Sequence, residues 1–300
     1  MRRRDVIKGG AAVAAGLALT GPAARAKGEP QGGDEPWVAL LSDTHIDADA
    51  GRQVRGVNMA EHLSAVIGRL HAAESKPQGI LINGDIARDE GRNGDYAVLN
   101  RRLEALQDLR PQTHVVPGNH DHRGNMIDAG LLRADEGAVE NKRCRRLSLG
   151  GGDWYLLDSL RFVDEIAGSL GSEQIDWLAA QLDAAPADRP AMVLTHHQPE
   201  NPQDPDDDGF GLADGAALLD MLRERKQVKA IFHGHRHAWT VREAHGIHIV
   251  GLPATSYVFA EGETAGYVEA RVRPDHLQLT QRCIDPQDPA EGQTHRLGYR

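Results

Sequence analysis

An α/β fold followed by an antiparallel addition is predicted by two patterns in the sequence. Short apolar runs alternate with helical spacing over most of the chain, and strand-like runs then succeed one another without helices between them. The first group comprises residues 37–41, 79–82, 114–116, 154–157, 191–194 and 229–232. Most are continuously apolar, as strands buried on both faces should be. Between them Met59, Leu63, Val66, Ile67 and Leu70 recur at helical spacing. So do Ile175, Leu178, Ala179 and Leu182, with Ser172 placed to cap that helix, and a third helical pattern covers 213–225. Residues 247–250, 267–272 and 277–283 form the closing strands, joined by Gly- or Pro-containing turns. Residues 286–300 are read as a C-terminal tail.

The first residues stand apart from this domain. Arg3 and Arg4 precede a small apolar stretch over 9–19 and then Ala24-Arg25-Ala26, an order that reads as a signal peptide of twin-arginine type cleaved after Ala26. The apolar run is too short to span a bilayer, so no permanent membrane anchor is expected. The twin-arginine translocation machinery becomes an expected partner, and the expected location is periplasmic or secreted. Residues 27–36, rich in Gly, Pro and acid, read as a linker to a domain over 37–285.

Composition narrows the function classes. The net charge is −10, and loss of residues 1–26 removes five basic residues and one acid, which takes it to about −14. Such a surface argues against nucleic-acid binding, and with 4% aromatic content stacking platforms for bases are not suggested. A small-molecule substrate is the better expectation. Cys144 and Cys283 are the only cysteines; their spacing leaves a disulfide open.

Five strand ends carry the chemistry. Ser42-Asp43-Thr44-His45 projects a carboxylate and an imidazole to one side of an extended chain, and Asn83-Gly84-Asp85 puts an acid at the next strand's carboxyl end. Pro117-Gly118-Asn119-His120-Asp121 delivers amide, imidazole and carboxylate in succession, and Thr195-His196-His197 and His233-Gly234-His235-Arg236-His237 complete the set. Taken singly, Asp43, Asp85 and Asn119 are ordinary turn or cap residues, and His196 or His233 an ordinary buried histidine. Together, five junctions ending in oxygen and nitrogen ligands without cysteine fit a Zn, Mn or Fe site rather than a thiolate zinc site.

The ordered blocks Asp-x-His, Gly-Asp-x-x-Arg, Gly-Asn-His-Asp, His and Gly-His-x-His over 37–237 resemble the calcineurin-like metallophosphoesterase superfamily. Gly168-Ser169-Leu170 and the His-His-Gln-Pro run are most similar to its bacterial cyclic-nucleotide phosphodiesterase group. The resemblance implies a four-layer αββα sandwich of two mixed sheets flanked by helices. It also implies that Asp43, His45 and His237 bind one metal, that Asn119, His196 and His235 bind the other, and that Asp85 bridges them. His120 is then the histidine beside the leaving group, with Asp121 fixing its tautomer. Arg88 stands where purple acid phosphatases carry a tyrosine, so a tyrosinate-coloured ferric site is not implied.

The expected function is phosphoester hydrolysis by two divalent or trivalent ions (Fe, Mn or Zn), with a hydroxide between them as nucleophile. Two cations about 3.5–4 Å apart neutralise an anionic ester that would otherwise repel hydroxide. A phosphodiesterase is the first expectation, a phosphomonoesterase the alternative, and a non-catalytic metal-binding protein the remote one. His197 is read as a substrate contact or as a support for a ligand. Arg123 and Asn125 are read as substrate contacts or ordinary surface residues. The acidic loop 202–209 lacks the EF-hand glycine and terminal glutamate and reads as a solvated rim.

Overall fold

The computed structural model describes residues 35–109, 112–135, 139–199 and 208–300. The signal-peptide reading, nearly all of the linker and most of the acidic loop lie outside these residues. Among the described residues, fourteen strands occur in chain order: β1 (Val38–Leu41), β2 (Gln53–Val54), β3 (Val57–Asn58), β4 (Gly79–Asn83), β5 (Gln112–Val116), β6 (Arg145–Leu149), β7 (Gly152–Leu156), β8 (Ala191–Leu194), β9 (Val228–His233), β10 (Thr240–Ala244), β11 (Ile247–Gly251), β12 (Gly266–Val272), β13 (His276–Cys283) and β14 (Thr294–Gly298). The α-helices are α1 (Met59–Ala72), α2 (Asn93–Leu103), α3 (Arg123–Asp128), α4 (Ser172–Ala184) and α5 (Gly215–Leu222).

Two six-stranded mixed sheets result, ordered β14-β13-β12-β1-β4-β5 and β10-β11-β9-β8-β7-β6. Their stacking follows from alternation along the strands. Val38 and Leu40 of β1 join Trp154, Leu194 and Phe232 in the core between the sheets, whereas Ala39 and Leu41 turn outward to Leu63, Ile67 and Leu70 of α1. On the second sheet, Met192 and Leu194 face inward while Val193 and Ile231 meet Leu178 and Leu182 of α4 and Leu218 of α5. The expected four layers are therefore present, with an apolar core at each of three interfaces.

Several sequence expectations change. Residues 286–300 are not a tail: β14 pairs antiparallel with β13, Leu277 opposite Leu297, and extends the first sheet. β11 runs parallel to β9 rather than within an antiparallel addition, because β10 returns the chain along the sheet's outer edge. Ser172 opens α4 but does not cap it. Gly171 holds the N-cap position, and Asp214 accepts from the Leu170 and Gly171 amides just before it. Asn58, by contrast, caps α1, its side chain accepting from the Glu61 amide at 3.0 Å. Cys144 and Cys283 are both buried and unbridged. No helix among the described residues is long and apolar enough to cross a membrane.

Candidate metal centre

The parallel strands β1, β4, β8 and β9, with β5, aim their carboxyl ends at one place, and all five predicted blocks lie there. Backbone bonds between the strand-end loops fix their relative positions. The Asp43 amide donates to the Gly84 carbonyl at 3.1 Å, the His45 amide to the Asp85 carbonyl at 2.9 Å, and the Gly234 amide to the His196 carbonyl at 2.9 Å. A Cβ on Gly84, whose φ is +75°, would overlap the His196 ring, so only glycine lets the two sheets approach there.

Asp43, His45, Asp85, His235 and His237 all adopt positive φ, between 44° and 66°. A non-glycine residue pays about 1 kcal/mol or more for that conformation. Five such residues in one site mark a backbone held for its side-chain directions rather than for comfort.

The imidazoles are oriented by backbone carbonyls. His45 Nδ1 meets the Arg88 carbonyl at 3.3 Å, His196 Nδ1 the Asn83 carbonyl at 2.9 Å, and His237 Nδ1 the Tyr257 carbonyl at 2.6 Å. A carbonyl can only accept, so each Nδ1 carries a proton and each Nε2 is turned inward as a ligand atom. His45 Nε2 and His237 Nε2 lie 3.1 Å apart, with Asp43 Oδ1 3.4 Å from the latter. Two imidazole lone pairs at that distance repel each other unless a cation lies between them.

Asp43, His45 and His237 thus form one candidate ligand set, and Asp43, Asp85 and His196 a second triad, each with ligand atoms within 4.8 Å of one another. Asp85 Oδ2 lies 3.7 Å from His45 Nε2 and 3.3 Å from His196 Nε2, which places it between the two sets. The Asn119 Oδ1 atom, on the loop after β5, is buried with no hydrogen-bond partner. Buried polar atoms rarely go unmatched, and an unmatched amide oxygen is a ligand type that a second cation accepts. His235 packs its ring 5.3 Å from that of His196, and its amide donates to Asp43.

The electrostatics agree with a site built for positive charge. Burial opposes ionisation of Asp43, but the neighbouring His237 outweighs it and holds the carboxyl down at about 2. Burial likewise acts against ionised Asp85, and His196 and His45 reverse it, leaving its pKa well below the usual range. His196 is raised to about 9: desolvation disfavours its charge, yet the facing Asp85 and Asp43 win. His45 and His235 are each lowered to about 4, chiefly by burial.

His197 is better placed than the sequence suggested. It lies in one cluster with His196 and His235, its Nε2 is buried without a hydrogen-bond partner, and its Nδ1 contacts Ser159 Oγ at 2.8 Å. Both histidines of the pair therefore face the second subsite.

His120 stands against Asp85 and His45, on the loop after β5. Its amide donates to Asp85 Oδ1 at 2.9 Å and its ring meets that of His45 edge-on. Its tautomer, however, is not set by Asp121. The His120 Nδ1 proton goes to the Asp89 carbonyl at 2.8 Å, with the Asp164 carboxylate 3.5 Å away. Asp121 is fully buried and accepts instead from the amides of Ile86, Ala87 and Gly118 and from the Tyr96 hydroxyl, so it ties the β4 and β5 loops together. Arg123 is also engaged elsewhere: its guanidinium grips Asp158 in bidentate fashion at 2.6 and 2.8 Å. Asn125 donates to the Gly91 carbonyl.

Sequence reasoning missed Tyr257 and Phe259, which follow β11 and stack on the His45 and His237 rings. Two aromatics spaced by one residue in a chain so poor in them were the available signal.

Fold and site together define a metal-dependent phosphoester hydrolase, with donor sets for two ions joined by one carboxylate. Residues 36–239 match the calcineurin-like phosphoesterase family, and the chain belongs to it. It is similar to a 3′,5′-cyclic-nucleotide phosphodiesterase of Nostoc sp., 27% identical over 231 residues that cover 76% of this chain and 81% of the relative. A 3′,5′-cyclic adenosine monophosphate phosphodiesterase of Pseudomonas aeruginosa is 29% identical over 242 residues, covering 81% and 84%. Among solved structures, a dimetal phosphatase from Danio rerio aligns with a TM-score of 0.68 at 16% identity, over 88% of this chain and 99% of the other; that likeness is one of fold.

Proposed function

We propose that the protein is an exported cyclic-nucleotide phosphodiesterase with two ions of Fe, Mn or Zn type. The observation that carries the hydrolytic part is Asp85 lying between two inward-facing ligand sets. In this reading Asp43, His45 and His237 hold one ion, Asn119, His196 and His235 the other, and Asp85 both. When bound, such a pair of ions supplies charge neutralisation at the phosphoryl group and activation of water. The remaining work falls to the chain. His120, with its Nδ1 proton fixed on the Asp89 carbonyl, leaves Nε2 to hold a proton for the departing alkoxide. Asp121 keeps the His120 loop against the Asp85 loop and so maintains the reach between acid and ligands. The cyclic-nucleotide preference is supported by likeness to relatives of that name over about three quarters of the chain.

The test combines metal analysis of purified protein with assays of bis(p-nitrophenyl) phosphate, p-nitrophenyl phosphate and 3′,5′-cyclic nucleotides. Two metal equivalents and faster cleavage of diesters than of monoesters are expected. A protein that takes up no metal and cleaves neither ester after Mn or Zn addition is not this enzyme. Export through the twin-arginine machinery, with cleavage after Ala26, completes the proposal. Replacing Arg3 and Arg4 by Lys should keep the protein in the cytoplasmic fraction, and unaltered periplasmic recovery would refute that route.

A further inference from the structure

Among the described residues, three of the chain's four phenylalanines are exposed, and one of them, Phe259, is in direct contact with a candidate ligand. Phe259 is 52% exposed, and its ring stacks on that of His237 at 4.1 Å. Phe162, 66% exposed, lies in the loop whose Asp164 amide donates to the Asn119 carbonyl at 2.7 Å. Phe210 is 43% exposed beside Asp208, which pairs with Arg236 between His235 and His237. The fourth, Phe232, is fully buried between the sheets. Single exposed apolar residues need no explanation, but an exposed ring stacked on a candidate ligand does.

Phe259 has the most constructed surroundings. The hairpin β2–β3 turns through Arg55 and Gly56, both at positive φ (51° and 80°), as a two-residue turn of primed type requires. This turn sets the Arg55 guanidinium 5.2 Å from the centre of the Phe259 ring. Arg55 is exposed and its φ is unfavourable for a side chain, so the hairpin holds it there at a cost. The guanidinium lies over the Phe259 ring, which is itself stacked on His237, and such a layered cation–aromatic rim is suited to adding one more flat heteroaromatic group.

Resting on the phosphodiesterase reading, we propose that Phe259 and Arg55 form the platform that receives the nucleoside base while the phosphate occupies the metal centre. The site then distinguishes a nucleotide from a bare phosphate by stacking on this rim rather than by further contacts to the phosphoryl oxygens. A low aromatic content is compatible with this, since one base needs a single stacking surface.

The test is calorimetric binding of 5′-AMP and of inorganic phosphate to Mn-loaded protein, for the wild type and for Phe259→Ala, Phe259→Trp and Arg55→Ala. The wild type should bind AMP more tightly than phosphate. Phe259→Ala should lower the AMP-to-phosphate affinity ratio about tenfold, Arg55→Ala should lower it less, and Phe259→Trp should preserve it. If Phe259 merely shields His237, Phe259→Ala will weaken both ligands together and leave the ratio fixed. That result overturns the proposal, as does a wild type that binds AMP no better than phosphate. Hydrolysis of 3′,5′-cyclic AMP by the same wild-type preparation separates the two claims. No hydrolysis together with a collapsed ratio removes the cyclic-diester reading and leaves the platform standing.

Discussion

The first sheet brings carboxylates, an amide and His45 to the metal centre, while the second brings imidazoles alone. Asp43, His45, Asp85, Asn119 and His120 follow β1, β4 and β5, whereas His196, His197, His235 and His237 follow β8 and β9. Neither half holds a complete set. Carboxylates on one side and imidazoles on the other mean that affinity depends on how closely the sheets are pressed together, which Gly84 permits and the Gly234–His196 backbone bond secures. The difference shows a site that reports on the integrity of the interface between the sheets.

The strongest way to break this arrangement is to remove the one carboxylate facing both sides. Asp85→Ala should lose metal occupancy on analysis and lower turnover by about 10³-fold. Full occupancy in that variant would remove Asp85 from its shared position. His120→Ala is the next largest change and should cost about 10²-fold in kcat with two metals still bound. Unaltered turnover would mean that the first sheet contributes ligands only.

Tyr96→Phe sharpens the comparison further, because the Tyr96 hydroxyl supports the first-sheet loops without approaching the metal. It donates to Asp121 at 3.0 Å and accepts from the His122 amide at 2.9 Å. Its loss should lower stability by about 1–3 kcal/mol in a urea titration, with metal content kept. A stability equal to wild type would show that the loop is held by Asp121 alone.

The smallest effect concerns the far seam between the sheets. His114 of β5 meets Arg145 of β6 at 3.3 Å, and burial followed by that guanidinium lowers the imidazole to about 4. The ordinary value is 6.5, so between pH 6.5 and 4 the unfolded chain binds more protons than the folded one. This contribution is full above pH 6.5 and is lost as pH falls toward 4. The His114→Gln variant should lose less stability than the wild type across that window, by about 1 kcal/mol after solvent screening. Parallel pH profiles would show that His114 carries no such linkage.

The legible parts of the fold were those with one-dimensional signatures. β1, β4, β8 and β9 are buried on both faces and read as unbroken apolar runs. The edge strands β6, β10 and β14 carry Arg, Glu and Thr on solvated faces, and α2 buries few side chains, so their patterns were too weak to recognise. The candidate ligands were visible because their residue types recur at strand ends. The partners of Asp121 were not, since a carboxylate's hydrogen bonds join segments far apart in sequence. The same holds for Phe259, whose neighbours Arg55 and His237 come from opposite ends of the domain.

The five left-handed candidate ligands have an implication for any attempt to improve this protein. Glycine, and to a lesser degree asparagine, adopts their backbone conformation at lower cost. A laboratory selection for heat resistance without an activity screen would therefore be drawn toward Asp43, His45, Asp85, His235 and His237 themselves. Its winners would be sturdier chains from which the ligands had been bred out.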